Sequence, residues 1–492
     1  MRNIRRAALS AHLAALLLLP AASGPSQTLP DLGDVSQSVI SPAQERKLGE
    51  ATMRQVHGSG AYLDDPEVEA YLNTLGQRLV LSISGPHPDF EFFAIADPAI
   101  NAFALPGGHI GVHTGLILLT QSESELASVL AHEISHVTQH HIARQIASAQ
   151  KNDLVTLAAM AIAVLAARSR PDLASGAILA AQGASIQSQL DFSREYEREA
   201  DRVGFALLDK SGFDTRAMPA MFERLQRASR VYDNNTPNYL KTHPVSYERI
   251  ADAITRSDGK PYRQIPDSRE FHFVRALLKS YQGTTAKDAI LDFESSLAER
   301  KYNDEAATRY GLVAALLRDK QFDRAARELA ALEKLAPSHP MIEAIAGQVL
   351  SQSGQRPAAI KRYQAALQRF PNHMQLVYDY PDALIETGQH AQAVQFIEKE
   401  LGRFPADGRL HQLAAKSYAA LGKKMQQHAH QGEFYASQGN LKGAIDQFEL
   451  AVKAGDGNFY QISTAESRIR ALKQEVAEQT KEFGKLASQA RP

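Results

Sequence analysis

The sequence predicts a mainly α protein in two parts: a helical domain with a small β-sheet, followed by an α-helical solenoid. Two observations carry that prediction. Apolar residues at helical spacing run through residues 122–138, and Pro, Gly and Ala each recur every 34 residues in the second half. Composition agrees with a folded chain: of 492 residues, 44% are apolar and 22% charged, which is ordinary globular usage. The length suits about three domains. Lys plus Arg (54) nearly balances Asp plus Glu (55), so no global basic field points to nucleic acid as a partner. With no cysteine in the chain, a disulfide framework, a thiolate metal site, a cysteine nucleophile and a lipidated amino-terminal cysteine are excluded. Any metal must be held by His, Asp or Glu.

The chain opens on Arg2, Arg5 and Arg6, an apolar stretch over residues 7–19, and the small residues Ala21, Ala22, Ser23 and Gly24. A basic head, a short apolar body and a small-residue end form a secretory leader, here taken as residues 1–24. The apolar run falls short of the ~20 residues that span a bilayer. Export predicts a periplasmic protein if the cell is Gram-negative. Residues 25–41 read as an irregular segment, and residues 42–258 as a compact domain.

Within that domain, residues 101–108 (NAFALPGG) end on two glycines and lead into an extended segment. Gly108, His109, Ile110 and Gly111 are expected to form an edge strand beside a cleft, to which a substrate backbone could add as a further strand. His109 and His113 alternate onto one face of it.

Ser122 is expected to cap the next helix, with Glu125 closing a capping box and Leu126, Leu130, Ile134 and Val137 as its buried stripe. On this helix lies His132-Glu133-Ile134-Ser135-His136. Two histidines four apart share a helix face, so both rings can reach one ion, and Glu133 is placed to hold a water beside it. His140 and His141 are expected to be exposed at the helix end. Residues 154–183 hold two short apolar runs split by Pro171. Neither can span a membrane, and they read as a helical hairpin over the cleft or against a membrane surface.

A second helix begins near Ser193 and stops near Gly212. Glu197 and Asp201, four apart on it, face the same way. Glu197 can complete a two-His, one-Glu site with an open position, and Asp201 can fix the outer nitrogen of a ligating His. Glu195 and Glu199 read as a solvated helix start.

Residues 259–270, polar with glycine and two prolines, read as a linker. Beyond it Pro337, Pro371 and Pro405 are 34 apart, as are Gly354, Gly388 and Gly422, and Ala325, Ala359 and Ala393. That period fits tetratricopeptide helical pairs over residues 271–480, with residues 481–492 as a tail. An eroded first unit is expected at 271–300. Gly439 and Ala444 keep the Gly-to-Ala offset but come only 17 residues after Gly422, which predicts an extra helix inserted around 423–435.

Together, the HEISH motif, the Glu197-x-x-x-Asp201 pair and NAFALPGG resemble the zinc metallopeptidase family of the CAAX prenyl endoproteases and HtpX-type proteases, whose catalytic domain is of zincin type. The leader and the tetratricopeptide repeats narrow the resemblance to the BepA-type β-barrel assembly-enhancing proteases. It implies one zinc ion per subunit on His132, His136 and Glu197, with Glu133 as the catalytic residue. It also implies work in outer-membrane quality control: cleaving stalled β-barrel proteins, assisting their assembly, and meeting the assembly machinery through the repeats, at the inner face of the outer membrane. A further match is His243-Pro244-x-x-x-x-Arg249, which the resemblance puts near the active site. Arg249 is expected to stabilise the developing oxyanion, and His243 to fill the open zinc position in a latent state. The rival reading is a repeat-based binding or chaperone scaffold with a latent or vestigial protease domain; an ATP-driven chaperone is disfavoured because the chain has no G-x-x-x-x-G-K-[ST] loop.

Overall fold

The computed structural model describes residues 41–148, 194–231, 237–281, 285–336 and 338–489. The leader and the 154–183 hairpin lie outside the described residues. Ser41 caps α1 (Pro42–Gly58), closing a capping box with Gln44. Asp65 caps α2 (Pro66–Val80) by accepting the Glu67 and Val68 N–H groups. In both helices proline takes the first turn, where its missing N–H costs nothing.

Three strands follow: β1 (Glu91–Ile95), β2 (Ala102–Ala104) and β3 (His109–His113). Their order is β1-β3-β2. β3 runs parallel to β1, with Glu91 opposite His109, and antiparallel to β2, with Ala102 opposite Val112. This corrects the expected edge strand. Ile110 and Gly111 sit in the central strand with both sides paired, and the edge on this side is β2. Gly108 is a turn residue with φ +95°, where an added Cβ would lie 2.5 Å from the Asp89 carbonyl oxygen.

After α3 (Thr114–Leu119) comes α4 (Glu123–Thr138), which holds the HEISH motif. Ser122 accepts the Glu125 N–H as expected. The box is only half made, because the Glu125 carboxylate takes the Gln121 N–H and the fork of Arg224 instead. Leu126, Leu130 and Ile134 are fully buried. The domain continues through α5 (His141–Ser148), α6 (Arg194–Lys210), α7 (Ala217–Val231), α8 (Asn238–Thr242) and α9 (Tyr247–Asp258).

The expected linker has no helix until α10 (Arg269–Tyr281) begins, but it is pinned. Asp267 accepts the Glu123 N–H, and the Glu123 carboxylate accepts the Ser268 N–H. One continuous apolar core runs from Leu72 and Leu130 in the first domain through Phe271, Phe273 and Leu278 to Val349. The solenoid is therefore welded to the first domain by buried area.

It consists of α10 with α11 (Ala286–Ala298), α12 (Glu305–Arg318) with α13 (Phe322–Leu335), α14 (Pro340–Gln352) with α15 (Arg356–Arg369), and α16 (Met374–Glu386) with α17 (His390–Leu401). Then come α18 (Gly408–Ala420), α19 (Lys424–Ser437), α20 (Leu441–Lys453) and α21 (Phe459–Gln489). α14, α16 and α18 start 34 residues apart, and so do α15, α17 and α19. Lys424–Ser437 is thus the second helix of an in-register pair, which corrects the expected insertion. Gly439 stands where the proline of earlier units would recur, so the helix stop changed while the register held. The expected tail is helical as far as Gln489. No helix among the described residues is long and apolar enough to cross a membrane.

The solenoid also meets α2, where His373 lies 3.0 Å from the Glu67 carboxylate. Nearby, Asp379 accepts Gln348 and Gln375 side-chain N–H groups, and burial pushes its carboxyl up to about 6. That lies above the ~3.9 of an unfolded chain, so the folded state holds this proton more tightly. Its stabilising contribution is full below about pH 4 and is lost as pH rises through 6. Asp379→Asn is expected to be more stable than wild type at pH 7.5 by about 1–2 kcal/mol, and to lose most of that advantage by about pH 4. Chemical denaturation of both proteins across this range checks it.

Candidate metal centre

α4 and α6 cross so closely that a side chain at Gly204 would place its Cβ 3.0 Å from the Ala131 carbonyl oxygen. Glycine there lets the acidic face of α6 reach the histidine face of α4. His132, His136, Glu197 and His243 each bring one donor atom to a common point, all within 4.8 Å of one another and all buried. His243 arrives from the turn after α8, where its ring stacks on Tyr239 at 4.7 Å and its N–H is held by the Tyr239 carbonyl. The Tyr239 N–H in turn donates to Ile100, just ahead of the edge strand β2.

The donor set fits a metal ion. His132 and His136 face each other Nε2 to Nε2 at 3.0 Å, and His132 Nε2 is 3.4 Å from His243 Nδ1. Glu197 places Oε2 3.5 Å from His132 Nε2 and Oε1 3.4 Å from His136 Nε2. Ligand atoms about 2.0–2.1 Å from a tetrahedral ion are roughly 3.3 Å apart, and these separations cluster around that value. Nitrogen and carboxylate donors of this kind suit zinc and other late first-row ions.

Burial and charge act against each other here. Burial works against a charged His132 ring, yet Glu197 and Asp201 together raise its basicity. Burial, helped by the neighbouring His132 and His243 rings, holds His136 well below the ordinary histidine range. Burial alone would neutralise Glu197, but His243, His132 and His136 keep its carboxyl well below the usual carboxylate range.

Asp201 Oδ1 lies 3.0 Å from His132 Nδ1, the ring's outer nitrogen. Arg249 is placed otherwise than expected. Its Nε and Nη2 grip the two Asp201 oxygens at 2.6 and 2.7 Å, and Nη1 reaches the Pro244 carbonyl and Glu197 Oε2, both at 2.7 Å. A guanidinium so engaged is not free to meet an oxyanion; it supports two carboxylates. Glu133 is fully buried, and among the described residues neither of its carboxylate oxygens has a hydrogen-bond partner; His243 Nε2 lies 3.7 Å from Oε1.

Other expected site residues stay outside this cluster. His109 is bonded to Glu91 at 2.8 Å, and His113 is buried beside Asp97. Glu195 is exposed. His141, expected at the surface, is fully buried, because His140 turns the chain with φ +51° and starts a new helix inward. Glu199 is not simply solvated either: His141 and Arg144 both reach its carboxylate. A pair of adjacent histidines at a helix end was the available signal; its direction was not.

Comparison with known proteins places this geometry. Residues 66–257 match the model of Peptidase family M48, and residues 350–417 match that of the Tetratricopeptide repeat. The chain is 36% identical over 427 residues to the putative beta-barrel assembly-enhancing protease of Vibrio cholerae, covering 86% of this chain and 87% of the relative. It is 29% identical to the beta-barrel assembly-enhancing protease of Shigella flexneri over 99% of this chain and all of the relative. A mitochondrial metalloendopeptidase, OMA1 of Arabidopsis thaliana, matches at 29% over 46% of this chain and 44% of its own length. A metallopeptidase domain carrying helical repeats, aligned almost end to end with such relatives, makes this chain a metalloendopeptidase of the beta-barrel assembly-enhancing protease family.

Proposed function

We propose that the protein is a zinc-dependent endopeptidase of the periplasm that acts in outer-membrane protein quality control. It cleaves misassembled or stalled β-barrel proteins and assists their assembly through its repeats. The observation that carries this reading is the buried convergence of His132, His136 and Glu197 beside the Glu133 carboxylate, which has no hydrogen-bond partner among the described residues. The amino-terminal leader pattern supports export, and the names of the Vibrio and Shigella relatives support the client class.

In this reading His132, His136 and Glu197 hold the ion, which when bound polarises the scissile carbonyl and lowers the pKa of a water to about 7. Asp201, at the outer nitrogen of His132, fixes that ring's tautomer, and Arg249 fixes Asp201 and Glu197. Glu133 takes the attacking water's proton and delivers it to the leaving amine. An extended client segment adds to β2, the edge strand, so backbone is read more than side chains. A polar hollow of 470 Å³ on the repeats, lined by Tyr378, Asp379, Asp382 and Arg409, suits a client or a component of the assembly machinery.

His243 brings a fourth donor to the cluster, its Nδ1 3.4 Å from His132 Nε2; as a fourth ligand it would take the place an attacking water needs, and that favours a latent resting state. His243→Ala is expected to raise basal casein cleavage several-fold and to leave bound zinc stoichiometric. A variant that binds zinc but digests no faster than wild type ends the latency idea. The function itself is tested by elemental analysis of purified protein, paired with digestion of a stalled barrel substrate. Protein that holds one zinc per chain and degrades the stalled but not the assembled barrel supports it. A metal-free protein that still promotes assembly would favour the scaffold reading.

A further inference from the structure

His136 turns Nε2 toward the donor cluster, so Nδ1 is its outer nitrogen, and that atom lies 2.9 Å from Nδ1 of His141. The other nitrogen of His141 lies 3.2 Å from Glu199 Oε2, and Arg144 Nη1 reaches the same oxygen at 2.8 Å. The His141 ring is stacked on Tyr196 at 4.7 Å with 15° between planes, and the Arg144 guanidinium lies over the same Tyr196 ring, 4.7 Å from its centroid. The ring is thus locked in its plane, and His141 is fully buried.

From this geometry we propose that His141, backed by Glu199 and Arg144, is a positioning relay for the metal-binding histidine His136. The inference rests on the metal-site reading above and adds residues to it that neither spacing nor family motif assigns.

Hydrogen counting gives the direction of the relay. A carboxylate can only accept, so His141 Nε2 carries a hydrogen and donates it to Glu199. A neutral imidazole then presents a lone pair at Nδ1. That lone pair can accept only if His136 Nδ1 bears the hydrogen, which leaves the His136 Nε2 lone pair directed into the donor cluster. The chain Glu199, His141, His136 therefore selects one tautomer and one ring orientation. His132 has a carboxylate directly at its outer nitrogen, Asp201 at 3.0 Å. The two ligands of one motif are thus oriented differently: one by a carboxylate, the other by a carboxylate acting through an intervening ring. The relay also ties α5 to α6, since Arg144 and His141 lie on the first and Glu199 on the second.

Outer partners of metal-bound histidines usually contribute about 10–100-fold in metal affinity. His141→Phe keeps the apolar volume and the Tyr196 stack and removes both nitrogens. It is expected to weaken zinc binding 10–100-fold in competition with a chromophoric chelator, with the melting temperature of the metal-free protein unchanged. His141→Asn, which restores an acceptor near Nδ1, is expected to recover part of that loss. Glu199→Gln, at a half-buried helix position, serves if His141→Phe does not fold, and is expected to weaken binding several-fold. The cobalt-loaded variants should show an altered visible spectrum, which a purely structural role would not produce. Wild-type protein that takes up no zinc overturns the metal-site reading itself. Zinc affinity equal to wild type in folded His141→Phe or Glu199→Gln, with the wild type binding normally, overturns the relay alone.

Discussion

Glu133→Gln is expected to lower peptide cleavage by 10²–10⁴-fold, the range that a positioned general base contributes. Zinc content should stay at one per chain, because the side chain's oxygens stand apart from the donor cluster. Stability should hold or rise. Glu133 is fully buried and neither oxygen has a hydrogen-bond partner among the described residues, and a carboxylate without partners is costly to bury. A neutral amide of the same shape relieves the charge while keeping the packing. The expected signature is thus a split: activity nearly gone, metal retained, melting temperature equal or higher. Casein digestion, elemental analysis and thermal denaturation on one preparation measure all three. Residual cleavage within tenfold of wild type would remove Glu133 from the reaction.

That split also explains what the sequence could and could not display. Helical periodicity alone puts His132 and His136 on one face, and Glu197 and Asp201 on another, because a spacing of four is one turn. The convergence of those faces depends on Gly204, whose value lies in what it touches on α4 and not in any local pattern. The edge strand failed for a related reason. Alternation and a turn glycine identify β3 as a strand, but strand order is a tertiary property, and β1 and β2 cover both of its sides. His141 was hidden by one backbone angle, since a left-handed residue at His140 reverses which side of the chain faces inward. In the repeats the 34-residue period fits the pairs α14 with α15 and α16 with α17, with Gly354 and Gly388 between the helices of each pair. It misjudged α19 because Gly439 took the place of a proline and so mimicked the glycine that ends a first helix.

Arg249 carries the second large expectation, and it separates two roles for one cation. Its fork grips Asp201 through two nitrogens and lies 2.7 Å from Glu197 Oε2, so Arg249→Leu leaves two buried carboxylates without their counter-ion. Removing one partner of a buried pair typically costs about 3–5 kcal/mol, and the metal-free protein is expected to lose stability of that order. Zinc should recover part of the loss, because the ion replaces some of the missing positive charge beside Glu197. Metal affinity should still fall, because Asp201 would no longer be held at the outer nitrogen of His132. Arg249→Lys offers a point charge that cannot grip both Asp201 oxygens at once, and is expected to lie between the two. If Arg249 served the developing oxyanion instead, the pattern would invert: kcat would collapse while zinc affinity and the melting temperature stayed at wild-type values. Chelator competition and denaturation of the metal-free protein decide between these outcomes without any turnover being measured, so a simple loss of activity cannot be mistaken for support of either.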